Sequence, residues 1–433
     1  MFEPELSCYL SAHFLLTTFG SFGDLHPYVA VGIGLRDRGH RVTIATSENY
    51  RAKVEGEGLN FHAVRPDLSP LLEQPEIIAR AFHPRRGSEY VMRQLFLPWL
   101  EQSCEDLMRI APEADLLVGH AIAFATPTVA EALRKKWISV ALQPSVFLSV
   151  FDPPVISGMP FARSLVRLGP RFWRQWVRFA KSIVRKWGQP LNDFRRKSGL
   201  KPLANPLLDD MFSPFGTQAW FSSAMARPQA DWPANTTVTG FPFYDKREPV
   251  LGMGAELEQF LDAGPPPVVF TLGSSAVFAA GRFFEESAEA AERLGIRAVL
   301  LVGTDARNLP QRTLPGSIAM AEYAPYSELF PLAAAVVHQG GIGTTAQVIR
   351  AGRPMLVAPF SHDQPDNAAR MERLQAARVL PLKSYRAERV ARELRLILEK
   401  REYADAAMRA ARAIAAEDGV RAACDGLEAA LAG

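Results

Sequence analysis

Short apolar runs alternate with amphipathic stretches along most of this chain. His13 to Thr18, Arg41 to Thr46, Asp115 to Gly119 and Ile138 to Leu142 read as buried strands in the first half. Val268 to Leu272, Ala298 to Val302 and Met355 to Ala358 read the same way in the second half. Between them lie segments with helical spacing. One starts at Pro27, shows Val29, Ile33 and Leu35 to a core, and ends at Gly39. Others run over Thr128 to Lys135, Glu256 to Leu261 and Arg282 to Leu294, and the tail from Ala387 is helical by propensity. Strand–helix alternation of this kind predicts parallel sheets covered by helices, an α/β architecture.

Length and composition add limits. A chain of 433 residues that is 48% hydrophobic and 22% charged supports two domains, each with its own core. The formal charge of +3 gives no reason to expect nucleic acid as a partner. Cys8, Cys104 and Cys424 are too scattered for a metal site and fit a reducing cytoplasm. No apolar run reaches the about 18 residues of a membrane span. Met1 to Ala12 carries two acids and no Lys or Arg, so it reads as a lead-in and not as a signal peptide.

One segment departs from this even composition. Arg163 to Lys201 holds twelve basic residues against one acid, Asp193. Its arginines recur every three or four residues, interleaved with Trp173, Trp176, Phe179, Ile183 and Trp187, and Pro170 should divide it into two helices. Such a helix is either a solvated face of its own domain or a peripheral contact with an anionic membrane.

The chemistry concentrates between Val337 and Arg370. His338 ends an apolar run, and Gly340, Gly341 and Gly343 allow a tight turn close to a ligand. Thr344 and Thr345 then open a helix, so free amides and two hydroxyls make an anion site suited to phosphate. Asp363 and Gln364 follow the next strand, where α/β sheets bind ligands, and can hold sugar hydroxyls. A second glycine turn, Gly273-Ser274-Ser275, follows the strand ending at Leu272. In the first half, Gly20-Ser21-Phe22-Gly23-Asp24 lacks the glycine order of a dinucleotide fingerprint. Asp24 reads either as a helix cap, which a helix N-terminus would keep acidic, or as a general base.

His-x-Gly-Gly-x-Gly-Thr-Thr at 338–345, followed by Asp363-Gln364-Pro365, resembles the donor signature of family 1 nucleotide-sugar glycosyltransferases. The pattern is similar to the bacterial branch that includes rhamnolipid rhamnosyltransferases and sterol-type glucosyltransferases. The resemblance covers nearly the whole chain and implies the GT-B fold, two Rossmann-like domains facing across a cleft. It implies an acceptor domain over residues 1–240 and a donor domain over 241–433, with the last helix crossing back and a hinge near Tyr244 to Gly254. Asp24 becomes the implied base, with His26 as its rival, and His120, Phe124 and Phe147 fall on the implied acceptor side. Gly273, Ser274, His338, Gly340, Gly341, Gly343, Thr344 and Thr345 are the implied diphosphate cradle, Tyr323 the base contact, and Asp363 and Gln364 the sugar ligands. Tyr326 stands where plant members carry Gln, and Ala346 where they carry a ribose-binding Glu, which favours a deoxyribose nucleotide. The expected reaction is inverting transfer of glucose or rhamnose from a UDP- or dTDP-sugar to a lipophilic hydroxyl acceptor, with no metal or other cofactor. A nucleotide-sugar epimerase of the same fold and a non-catalytic binding protein remain as alternatives.

Overall fold

The computed structural model describes residues 11–68, 74–159, 162–245 and 252–432. Most of the expected lead-in and about half of the expected hinge lie outside them. β1 (His13–Thr17), β2 (Arg41–Thr46), β3 (Asn60–Ala63), β4 (Leu116–His120), β5 (Trp137–Ala141), β6 (Thr217–Ala219) and β7 (Thr236–Val238) form one parallel sheet, ordered β3-β2-β1-β4-β5-β6-β7. β8 (Val268–Thr271), β9 (Ala298–Leu301), β10 (Ile318–Ala321), β11 (Ala335–His338), β12 (Met355–Val357) and β13 (Ala377–Val379) form a second, ordered β10-β9-β8-β11-β12-β13. Every pairing is parallel, and β1, β4, β5, β8, β9, β11 and β12 are buried along their length. Burial on both faces explains why these strands are near-continuous apolar runs with no alternation.

Strand order reverses direction between β1 and β4 in the first sheet and between β8 and β11 in the second. The loops leaving such neighbours diverge and open a crevice at the strands' carboxyl ends. Phe19–Asp24 and His120 lie at the first reversal, and Gly273–Ser274 and Gln339–Gly343 at the second.

Six helices matter to the site: α1 (Phe22–Asp37), α2 (Gly169–Trp187), α3 (Ile342–Arg350), α4 (Gln364–Arg373), α5 (Arg401–Ala415) and α6 (Gly419–Ala432). α1 starts five residues before the expected Pro27. Ser21 caps it and Asp24 closes the box, which stabilises the earlier start, and Pro27 is carried inside the helix. Pro170 does open a helix, in the first turn of α2. α6 lies on α1, with Ala423, Cys424 and Leu427 in one core with Phe14, Leu16, Val31 and Leu35. A Cβ on Gly34 would sit 2.8 Å from Val420 and 2.9 Å from Cys424, so the two helices approach at a glycine. Arg38 bridges Asp425 and Glu428 at 2.7 Å each.

The two sheet units touch at three places near the crevice. A Cβ on Gly343 would lie 3.2 Å from the Cα of Gly23. Ser88 Oγ is 3.0 Å from His362 Nδ1. Arg370 on α4 is 2% exposed and pairs with Asp366 at 2.7 Å on its own helix and with Asp152 at 2.5 Å from the first unit. Arg373 adds a 2.8 Å contact to Asp152, and the Val155 amide donates to Asp366 at 3.0 Å.

Candidate active site

On the first-domain side, the Ser21 amide donates to Asp24 Oδ2 at 2.8 Å and the Gly23 amide donates to Ser21 Oγ at 3.3 Å. Gly20 has φ +124, and a Cβ there would fall 2.2 Å from Asp24 Oδ2, so glycine is what lets the carboxylate fold back over the turn. The carboxylate that closes the capping box and the candidate base are therefore one side chain. Burial raises the pKa of Asp24, and this outweighs the opposing pull of His120 and the Ser21 hydrogen bonds. The acidifying effect expected from the helix terminus does not win. His120 is itself held below its usual value by burial, against the attraction of Asp24. One ring nitrogen bonds the Phe19 carbonyl, and Nδ1 is buried without a hydrogen-bond partner among the described residues.

The other first-domain candidates sit elsewhere. His26 is about 200° around the helix from Asp24, its ring between Phe22 at 5.2 Å and Tyr244 at 4.9 Å. Phe124 and Phe147 are both buried, and Phe147 also lines a small open pocket with Val146, Phe212 and Trp232. Phe124 is buried among Leu97, Leu117 and Val129, and Phe147 stacks on Trp232 at 4.1 Å and Phe212 at 5.6 Å.

On the second-domain side, Gly341 caps α3 with no side-chain bond, so the first amides of that helix are unpaired. Gly340 has φ +91, and a Cβ there would lie 2.8 Å from Val357. Gly273 fits against the same turn, its hypothetical Cβ 2.6 Å from Gln339 Nε2 and 3.2 Å from Thr344 Oγ1. Ser274 is exposed beside it, and Tyr323, just past β10, is half-exposed. His338 is fully buried, and burial lowers its pKa to about 3. Its Nδ1 accepts from the Gly340 amide at 3.1 Å and its Nε2 is 3.3 Å from Met355 Sδ. A neutral His338 thus fixes the glycine turn from behind.

Asp363 Oδ2 accepts from Asn367 Nδ2 at 2.6 Å, and the same amide donates to the Gly340 carbonyl at 3.0 Å, tying the acidic loop to the glycine turn. Gln364 Oε1 accepts from the Phe360 and Ser361 amides at 2.9 and 3.2 Å, which leaves its Nε2 for other partners. Gln339 Oε1, Thr345 Oγ1, Ser361 Oγ and Asn367 Oδ1 are buried around these loops with no hydrogen-bond partner among the described residues. Buried polar atoms are nearly always bonded, so four around one turn mark a place for a polar ligand.

The two sides act on each other. The pKa of Asp363 is raised to about 7, first by burial and then by the negative charge of Asp24. The charge of a carboxylate in one domain is therefore felt by a carboxylate in the other. A raised carboxyl pKa destabilises the folded form progressively between the unfolded value near 3.8 and the folded value near 7. Asp363→Asn keeps an acceptor for Asn367 and removes that cost. Its melting temperature relative to the parent protein is expected to rise from pH 5 to pH 7 and level off above. A constant difference over this range would show that Asp363 is not perturbed.

Some residues at the site carried a weak sequence signal or none. Tyr326, noted only for standing where plant members carry Gln, is partly buried, its hydroxyl 2.8 Å from Thr271 Oγ1, and it also bonds Thr344, bracing β8 and α3 together. Gln339 and Ser361 are ordinary polar residues until the turn buries them. Arg370 had one usable signal, its i, i+4 spacing from Asp366.

Comparison with known proteins agrees with this geometry. The glycosyltransferase family 28 N-terminal domain matches residues 14–139, and the erythromycin biosynthesis protein CIII-like C-terminal domain matches residues 291–424. Over 422 residues the chain is 36% identical to O-mycaminosyltylonolide 6-deoxyallosyltransferase of Streptomyces fradiae, spanning 94% of this chain and 95% of that protein. The chain is a family 1 GT-B glycosyltransferase. Sterol 3-beta-glucosyltransferase of Debaryomyces hansenii is 27% identical to this glycosyltransferase over 87% of the chain, which spans 24% of that longer protein. Among solved structures, the glycotransferase of kitacinnamycin superposes with a TM-score of 0.74 at 20% identity, covering 98% of this chain and all of that one. A spinosyn rhamnosyltransferase complexed with thymidine diphosphate gives 0.66 at 19% identity, covering 96% of this chain and all of that one. These likenesses show the GT-B fold for the glycosyltransferase. The 36% identity to the Streptomyces fradiae transferase, which spans nearly all of both chains, favours sugar transfer over the epimerase and non-catalytic alternatives.

Proposed function

We propose that this enzyme transfers a 6-deoxyhexosyl group, with inversion, from a dTDP-sugar to a hydroxyl of a lipophilic small molecule. The observation that carries it is the meeting of the Asp24 loop with the α3 turn, where a Cβ on Gly343 would lie 3.2 Å from the Cα of Gly23, and the charge of Asp24 is felt at Asp363 beside that turn. Asp24 accepts the proton of the acceptor hydroxyl. The acceptor oxygen bonds the anomeric carbon as the bond from that carbon to the diphosphate breaks. The open amides of α3, with Ser274, Thr344 and Thr345, hold the departing diphosphate, since preorganised dipoles stabilise charge that develops there. Asp363 and the Gln364 amide orient the sugar, and Tyr323 lies against the base. A single direct displacement at the anomeric carbon, with Asp24 taking the acceptor's proton, inverts the configuration there.

Two observations favour dTDP and a deoxysugar. The Streptomyces fradiae relative is named for transfer of a 6-deoxyallosyl group, and the spinosyn rhamnosyltransferase binds thymidine diphosphate. Ala346 is buried and small, with no carboxylate for a ribose 2′-hydroxyl. The test pairs dTDP-rhamnose and UDP-glucose with macrolide aglycone, flavonoid, sterol and hydroxy fatty acid acceptors, following nucleotide release and glycoside mass. Faster turnover with dTDP-rhamnose is expected. Exclusive use of UDP-glucose would overturn the donor assignment and leave the transfer chemistry standing.

A further inference from the structure

α2 presents three faces about a third of a turn apart. Trp173 and Val177 face inward onto Val150, and the Trp173 indole donates to the Leu165 carbonyl at 3.0 Å. A second face carries Phe172, Phe179 and Ile183, in line with Leu168 just before the helix, and these are 37%, 64%, 42% and 52% exposed. Arg171, Arg174, Arg178 and Arg185 occupy the third face, all exposed and with no ion pair among the described residues. Lys181, by contrast, is paired with Asp209 at 2.5 Å.

A row of large exposed apolar side chains marks a contact surface. The unpaired arginines beside it set the sign of the partner, which is anionic. The surface is convex and runs the length of a helix of about 28 Å, so it suits a fluid plane that needs no matching groove. No helix among the described residues is long and apolar enough to cross a membrane. We propose that α2 docks the enzyme on an anionic lipid bilayer. Phe179 and Ile183 enter the boundary between headgroups and acyl chains, and the arginines meet lipid phosphates. The loop beneath the inward face of α2 also carries Asp152 and Val155, which contact α4, so the docking helix is tied to the segment that joins the two sheet units. Docking stands apart from the transfer reading. Only its use, delivery of a lipophilic acceptor from the bilayer, rests on that reading.

The test is flotation of the full chain with vesicles of phosphatidylcholine alone and of phosphatidylcholine mixed with phosphatidylglycerol, at low and high salt. Binding to the mixed vesicles only, weakened by salt, is expected. Phe179→Ser with Ile183→Ser should abolish it, and Arg174→Gln, Arg178→Gln and Arg185→Gln together should weaken it about a hundredfold. Both variants should turn over a water-soluble acceptor as the parent does, which separates lost docking from misfolding. A parent enzyme that stays unfloated, or a Phe179/Ile183 variant that floats equally well, overturns the proposal. Flotation as described, with no transfer to any acceptor by the parent, would uphold docking while sinking the transfer reading.

Discussion

Asp24→Asn is expected to lower kcat by a factor of about 100 to 10,000 while donor affinity stays within a few-fold. The substitution suits the question because the carboxylate that closes the capping box and the proposed base are the same side chain. Asparagine still offers an oxygen to the Ser21 amide, now 2.8 Å from Asp24 Oδ2, so the start of α1 is retained. What disappears is the capacity to take a proton. Asp24→Ala would remove both roles and cost about 1 kcal/mol of stability through the lost cap, so only the comparison isolates the chemistry. The pH profile gives an independent reading. Burial raises the pKa of Asp24, so the acid limb of kcat/KM is displaced upward from an ordinary carboxyl value. Activity falls as pH drops through that raised pKa, because the protonated acid can accept nothing. The residual activity of Asp24→Asn should lack that limb. Near-parental turnover in Asp24→Asn would move the base to another group and leave Asp24 as a cap alone.

The second large effect is on stability. Arg370→Met should destabilise the protein by about 3–5 kcal/mol, because it strands the buried Asp366 and leaves Asp152 with only the exposed Arg373. Asp366 is 3% exposed and Asp152 is held 2.5 Å from the guanidinium. Methionine fills the volume and offers no charge. Asp152→Asn should cost much less, since Arg370 keeps Asp366 at 2.7 Å. Urea denaturation of the three proteins at neutral pH separates the cases, and a loss below about 1 kcal/mol for Arg370→Met would show a solvent-screened pair. Asp152 also predicts a pH window. Burial alone would raise its pKa, but Arg370 and Arg373 outweigh it and hold the carboxyl below 3.8. Its contribution is complete above the unfolded value and is lost as pH falls through the lower folded one.

Strands and glycine turns were legible in the sequence, because buried parallel strands are apolar throughout and tight turns demand glycine. β2 coincides with its expected bounds, β1, β8, β9 and β12 end one residue early, and β4 and β5 are shifted by one residue at both ends. The short strands β3, β6, β7, β10 and β13 gave no distinct signal, since a few residues at or near a sheet edge need no continuous apolar run. Asp24 and Asp363 were legible as chemistry, though not as neighbours, because 339 positions separate them along the chain. Side-chain direction was not legible. His338 could have faced a ligand or the core, and only the Gly340 amide and Met355 decide it. Phe124 and Phe147 lie at strand ends that could line a rim, and neighbouring rings draw them into packing. The Arg370–Asp152 contact joins elements 218 residues apart, and nothing local to Asp152 announces it.

The placement of α6 has a consequence for synthesis. The core beneath α1 and β1 includes Ala423, Cys424 and Leu427, contributed by the far end of the chain. A ribosome that has released all seven strands of the first sheet has therefore released an unfinished hydrophobic core, open along one side of α1. That surface stays bare while the whole second sheet is translated and folded. The first domain begins first and is completed last, so its exposure to chaperones and to aggregation is set by the translation time of the second domain.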